Sequence, residues 1–273
     1  MVGPEPELPQ SLEKTRDPLI NLHPGGQRDL FVNAHGRKLD APPDNEIGLP
    51  RVRPRDPHGR WEIVSMRLPK SLQDPDDHRA LAALTRYYGQ APAEHSSPFT
   101  GARFDTWDST GTRHADRHRF TADDLVAVTF LSVHVPAQAA VRLLDTQAAH
   151  FADLLEQLGE DRDLVEEREP WSDDWSGWIL WRELDALPGV GPTIASKLLA
   201  RKRPRLRPIY DTVVAGVLGS QLLWEPLRAH LAADPELHGR LLRLRDQANL
   251  PAAVSALRVF DVVTWMEGKY GAA

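Results

Sequence analysis

LPGVGPTIASKLLARKRPRLRPIYDTVV, residues 187 to 214, is the stretch from which the rest of the chain can be read. It opens with Gly189-Val190-Gly191. Glycines at both positions let the backbone adopt positive φ and approach a partner without a side chain in the way. Pro192 stands where a helix would begin, and its missing N–H is no loss there. The free N–H groups of the turn and first helical residues then point outward. With the helix dipole they form a site suited to a phosphate. Beyond lies a basic segment, Lys197, Arg201, Lys202, Arg203, Arg205 and Arg207, with no acid among them. Such a run is expected to add long-range attraction to an anionic polymer. The stretch closes on a single carboxylate, Asp211.

The remaining composition sets bounds. At 273 residues the chain can bury a sizeable core and form two domains or subdomains. It has no cysteine, which excludes disulfides, Cys-ligated zinc and Cys-ligated iron–sulfur clusters. The first residues have neither a basic start nor an apolar run, so no signal peptide is expected. No apolar run is long enough for a membrane span. The abundance of Ala, Arg and Pro suggests a bacterial cytoplasm. A net charge of −6 is unlike a typical nucleic-acid binder. The basic surplus is local, and the acids gather elsewhere, notably in residues 159 to 170.

Working outward, residues 1–60 read as a Pro/Gly-rich arm with short ordered pieces near Phe31. Residues 61–119 read as a small mixed α/β segment packing on the core: a strand at 61–68, an amphipathic helix from Asp77 to Tyr88, and a hairpin within 99–120. His114 and His118 flank Asp116 there. A metal site is conceivable, but no third ligand is recognisable, and a solvated polar loop is preferred. Residues 120–273 read as a helical domain. Thr121 and Asp124 have the form of a capping box before the apolar run LVAVTFLSV, which should be buried. Pro136 ends that helix and starts another, and Gly159 stops a third. Ser172 can cap a helix to Ala186, along which Trp171, Trp175, Trp178 and Trp181 share one stripe. That stripe is read first as core. His134 and His150 are read as satisfied core histidines. Asp211 or Thr212 can cap a helix, Pro226 would interrupt the next, Asp234-Pro235 starts another, and Pro251 starts the last, with Leu257, Phe260, Val263 and Trp265 as packing residues. The fold class expected is mainly α.

Leu-Pro-Gly-Val-Gly followed by a helix resembles the helix–hairpin–helix motif of DNA-binding proteins. The resemblance extends to the helix–hairpin–helix DNA glycosylase superfamily. There a segment like VDTHV carries a catalytic Asp, and here PIYDTVV stands at that place, with Asp211 24 residues after Leu187. The early segment FTADDLVAVTFLSV also looks like a buried helix of that fold, so the resemblance spans roughly residues 120 to 265. The chain further resembles a family of uncharacterised bacterial proteins sharing both segments.

The resemblance implies a DNA contact through Leu187, Gly189, Val190, Gly191, Thr193, Lys197, Arg201, Lys202 and Arg203. It implies catalysis by Asp211 on a nucleotide flipped from the duplex, a base pocket drawing on Tyr210, Trp178 and Trp181, and a monovalent cation at the hairpin. Bifunctional members carry Lys two residues after the second hairpin glycine, where this chain has Thr193, so a Schiff-base nucleophile is missing from its usual place. The cysteine cluster of the endonuclease III branch is absent too, so no iron–sulfur cluster is implied. The expectation is a monomeric, monofunctional DNA glycosylase. The alternatives are a non-catalytic hairpin protein that reads DNA by backbone contacts, and a structural or partner-binding protein whose hairpin touches no nucleic acid. For Asp211 the plain alternative is an N-cap.

Overall fold

The computed structural model describes residues 66–89, 97–220 and 223–271. The expected arm at 1–60 and the start of the expected strand at 61–65 lie outside them. Among the described residues all regular structure is helical, and no strand occurs. The mainly-α expectation holds.

The last helix organises the core. α11 (Ala256–Tyr270) has nine consecutive buried residues from Ala256 to Thr264, so all its faces are covered over more than two turns. Ser255 caps it: its Oγ accepts from Arg258 N at 3.1 Å and donates to Pro204 O at 2.7 Å. Four helices pack on it: α1 (Lys70–Gln73), α2 (His78–Tyr88), α8 (Thr212–Leu218) and α10 (Pro235–Gln247). α2 is amphipathic as the spacing predicts, with Ala80, Leu84, Tyr87 and Tyr88 buried and Leu81 half-buried. Its end at Gly89 has φ 85°, a conformation that favours glycine.

A second layer holds the hairpin. α6 (Ser176–Asp185) packs on α7 (Gly191–Lys202), α5 (Ala148–Leu158) on α6, and α3 (Ala122–Thr129) on α7. α5 presents Phe151, Leu154, Leu155 and Leu158 on one face and stops at Gly159, as read from the sequence. The remaining α-helices are α4 (Ala137–Val141), which continues into a π-helical turn at Arg142–Thr146, and α9 (Trp224–Ala233). Pro226 lies in the first turn of α9, where no internal hydrogen bond is lost, so it does not interrupt the helix. No described helix is long and apolar enough to cross a membrane.

Several local expectations change. The capping box of Thr121 and Asp124 is present, but α3 ends at Thr129 and Val126 is 40% exposed, so this helix is shorter and less buried than expected. The hairpin within 99–120 is replaced by a 3₁₀ turn at Thr100–Arg103 and a chain of turns. Carbonyls that a hairpin would pair are captured by cations: Arg201 donates to Phe104 O and Trp107 O, Lys202 to Asp116 O, and Arg203 to Arg117 O. Met66–Leu68, the described end of the expected strand, is non-helical and runs through Pro69 into α1. His134 and His150 are exposed rather than core residues, and His150 lies 3.8 Å from Glu183. Asp116 is buried and bonded to Thr112 and Arg119, while His118 bridges Glu160 and Arg203. Among the described residues no group of His and acidic side chains could hold a metal.

Candidate functional site

The hairpin forms as its sequence requires. Gly189 and Gly191 have φ of 73° and 63°, the left-handed region. Val190 N donates to Leu187 O at 3.0 Å and closes the turn. Leu187 and Val190 are buried and anchor it, whereas Gly189 is exposed. The two glycines differ in surroundings. A Cβ on Gly189 would lie 2.9 Å from Pro136 Cγ, but one on Gly191 would meet nothing within 4 Å. Gly189 therefore serves packing as well as φ, and the open approach is at Gly191. With α7 beginning at Gly191, the first-turn N–H groups of Gly191 and Thr193 have no acceptor within the helix.

The link from α7 to α8 is tied back to the hairpin by a residue that the sequence did not single out. Ser196 is fully buried; its Oγ donates to Thr193 O at 3.0 Å and accepts from Tyr210 N at 3.1 Å. This joint fixes Asp211 relative to the first turn of α7. Asp211 caps α8, its Oδ1 accepting from Val213 N at 2.9 Å. Its Oδ2 lies 3.6 Å from Lys197 Nζ, and the Asp211 side chain remains 22% exposed. Lys197 is buried, and its Nζ also donates to Leu131 O at 2.9 Å. Burial pushes the Lys197 pKa down, and the Asp211 carboxylate opposes that shift. Deeper in, Arg258 of α11 binds Asp105, Asp261, the Tyr87 hydroxyl and Gly101 O. Burial pushes Asp261 up against the lowering effect of Arg258, and Asp211 adds to the rise.

The basic run does not form a surface. Lys197, Arg201, Lys202, Arg203 and Arg207 are all buried, and of the six cations only Arg205 is exposed. Arg201 pairs with Asp124 at 3.2 Å and Lys202 with the same carboxylate at 2.5 Å. Arg203 donates to carbonyls of Gly159, Leu155 and Arg117. Arg205 pairs with Asp163, and its backbone N–H reaches Asp161. The acidic segment that seemed remote in sequence thus folds against the basic one. Arg201, Lys202 and Arg203, expected as phosphate contacts, are committed to internal acceptors instead. The burial cost of their charge is offset by charge-assisted hydrogen bonds and one shared carboxylate.

Among the described residues the three base-pocket candidates make no ring contact with one another. Trp178 belongs to a packed cluster in which Trp171 and Trp175 stack at 4.2 Å and Trp224 of α9 sits 5.0 Å from Trp178. The stripe is therefore mainly core. Trp181 is half-buried, with its indole N–H and Asp185 Oδ1 both buried without a partner. Tyr210, beside Asp211, is half-buried, and its pKa is raised by burial and then by that carboxylate. Among the described residues Tyr210 makes no ring contact with either tryptophan.

A family model covers residues 80–268, which include the hairpin, the Ser196 joint, Asp211 and α11 up to Gly268. The chain belongs to DUF6308, a family of unknown function. No curated protein and no solved structure matches the chain. The DUF6308 region thus holds every candidate site residue, from Trp178 to Asp211.

Proposed function

We propose that this protein binds duplex DNA through the Gly189–Gly191 hairpin and acts as a monofunctional DNA glycosylase, using Asp211 to hydrolyse the N-glycosidic bond of a damaged or modified base. The observation that carries this reading is the Asp211 carboxylate. It is partly open to solvent, oriented by Val213 N–H, and fixed to the hairpin helix through Ser196 and Tyr210. Backbone N–H groups at Gly191 and Thr193 bind a phosphate. The target nucleotide flips out at an unstacking cost of a few kcal/mol. Asp211 stabilises the positive charge that develops on the sugar as the C1′–N bond breaks, and water adds at C1′ while the base leaves protonated.

Lys197 supports the monofunctional assignment. Its side chain is only 4% exposed and its Nζ is held by Leu131 O and Asp211, which disfavours attack on C1′. A monovalent cation at the hairpin would find Leu187 O already accepting from Val190 N, leaving one lone pair for it, and no step depends on it. With Arg201, Lys202 and Arg203 turned inward, few phosphates are neutralised by side chains. The salt dependence of binding should be shallow, a log–log slope of about −1 to −2.

The test is base release from duplexes carrying uracil, alkylated, oxidised or hypermodified bases. The wild type should release one of them. Asp211→Asn should lose about 100-fold or more in rate with duplex affinity unchanged. A second reading, non-catalytic DNA binding, is favoured by Lys197, whose ammonium opposes a cation-stabilising role for the carboxylate it faces. That reading prevails if the wild type binds duplex, loses affinity in Gly191→Glu, and releases no base.

A further inference from the structure

Arg207, on the link between α7 and α8, is buried in an unusual way. Arg201, Arg203, Arg228 and Arg258 are also buried, and each donates to several carbonyls or carboxylates. Arg207 does not. Its Nε and Nη1 are buried and have no hydrogen-bond partner, and no described carboxylate lies within ion-pair distance of it. Its guanidinium lies 4.0 Å over the ring of Trp224, whose own N–H donates to Leu206 O. Stacking satisfies one face of the plane but none of the N–H groups. Burial alone pushes the Arg207 pKa down, to about 9, so the group stays charged at neutral pH.

The side chain lines a hollow between the link and the start of α11, together with Phe104, Asp105, Ile209, Ser255 and Arg258. The hollow encloses about 200 Å³ of atom-free space including its mouth, but holds roughly one small atom or ion. Its other polar groups are already engaged. Asp105 accepts from Arg258 and Tyr88, and Ser255 bonds Pro204 and Arg258. The unmet requirement is therefore for an acceptor, and a negative one, because a buried cation without a counter-charge is strongly destabilising.

We infer that Arg207 and this hollow form a binding site for a small monatomic anion of the halide class, chloride being the ordinary occupant. Arg207 and Arg258 both line the space, but Arg258 is already held by Asp105 and Asp261, so the uncompensated charge is that of Arg207, and the space excludes a whole phosphate or carboxylate group. Water could accept from the same N–H groups but would leave the charge uncompensated.

The test compares thermal unfolding in sodium chloride, sodium bromide, sodium phosphate and sodium gluconate at equal ionic strength. Chloride and bromide should raise the wild-type Tm by about 2 °C or more over gluconate. Arg207→Met keeps an apolar stem over Trp224 and removes the charge. It should lose the halide response and be at least as stable as the wild type in gluconate. An equal halide response in both proteins overturns the inference, as does a wild-type response to phosphate alone. Should Arg207→Met fail to fold, wild-type crystals soaked in bromide decide the matter. An anomalous peak within hydrogen-bonding distance of Arg207, together with the Tm response, supports the site. No peak there overturns it, and a peak without a Tm response marks an adventitious ion only.

Discussion

Helix α7 carries two Lys–Asp pairs, and they are built differently. Lys202 meets Asp124 at 2.5 Å with both side chains almost wholly buried. The same carboxylate takes Arg201 and closes the capping box of α3, so it joins two helices. Lys197 meets Asp211 at 3.6 Å, and Asp211 stays 22% exposed with one oxygen given to its own helix. The first pair is saturated and leaves nothing for a ligand. The second holds a carboxylate in place while keeping part of it in contact with water. That difference separates a clamp from a candidate site on one helix, five residues apart.

The largest effect should come from breaking the clamp. Asp124→Ala leaves Arg201 and Lys202 buried without their carboxylate and removes the α3 cap, and should cost about 3–5 kcal/mol of unfolding free energy in urea. Lys197→Met should cost about 1 kcal/mol or less by the same measurement, because Asp211 can hydrate. Comparable losses in the two variants would abolish the contrast.

The hairpin glycines sharpen it further. Any side chain at φ near +60° is strained by about 1–2 kcal/mol. Gly189→Glu adds a collision with Pro136 and should destabilise more than Gly191→Glu, whose Cβ enters open space. Gly191→Glu should nonetheless weaken duplex binding, read by fluorescence anisotropy. Retained affinity in a folded Gly191→Glu protein would leave the hairpin as a structural turn only.

The smallest effect concerns the acids that face the exposed end of the basic run. Burial raises the Asp161 pKa to about 6, against the lowering contribution of the Arg205 N–H. A carboxyl whose pKa is higher folded than unfolded binds more protons in the native state, so its contribution to stability grows as pH falls from 7 toward 4. Asp161→Asn should remove about 1 kcal/mol of the stability change between pH 7 and 5. An unchanged pH slope in chemical denaturation would contradict the burial of this group.

The sequence by itself determined the parts whose cause is local. Two glycines and a proline set the hairpin, because φ and a missing N–H act on the chain where they stand. The capping box, the Asp211 cap, the stop at Gly159 and the start at Asp234-Pro235 are legible for the same reason. The spacing of apolar residues gave α5 and the packing positions Leu257, Phe260 and Val263 of α11. What only the tertiary structure decided was the direction of the cations. Acceptors such as Gly159, Leu131, Asp116 and Phe104 lie 44 to 97 residues away, and no local pattern reveals a carbonyl that a distant turn will leave unpaired. A long charged side chain reads the same in sequence whether it reaches water or the interior. The same limit hid Ser196, which resembles any small helical residue until Tyr210 folds back onto it, and Arg207, which differs from its basic neighbours only in finding no acceptor.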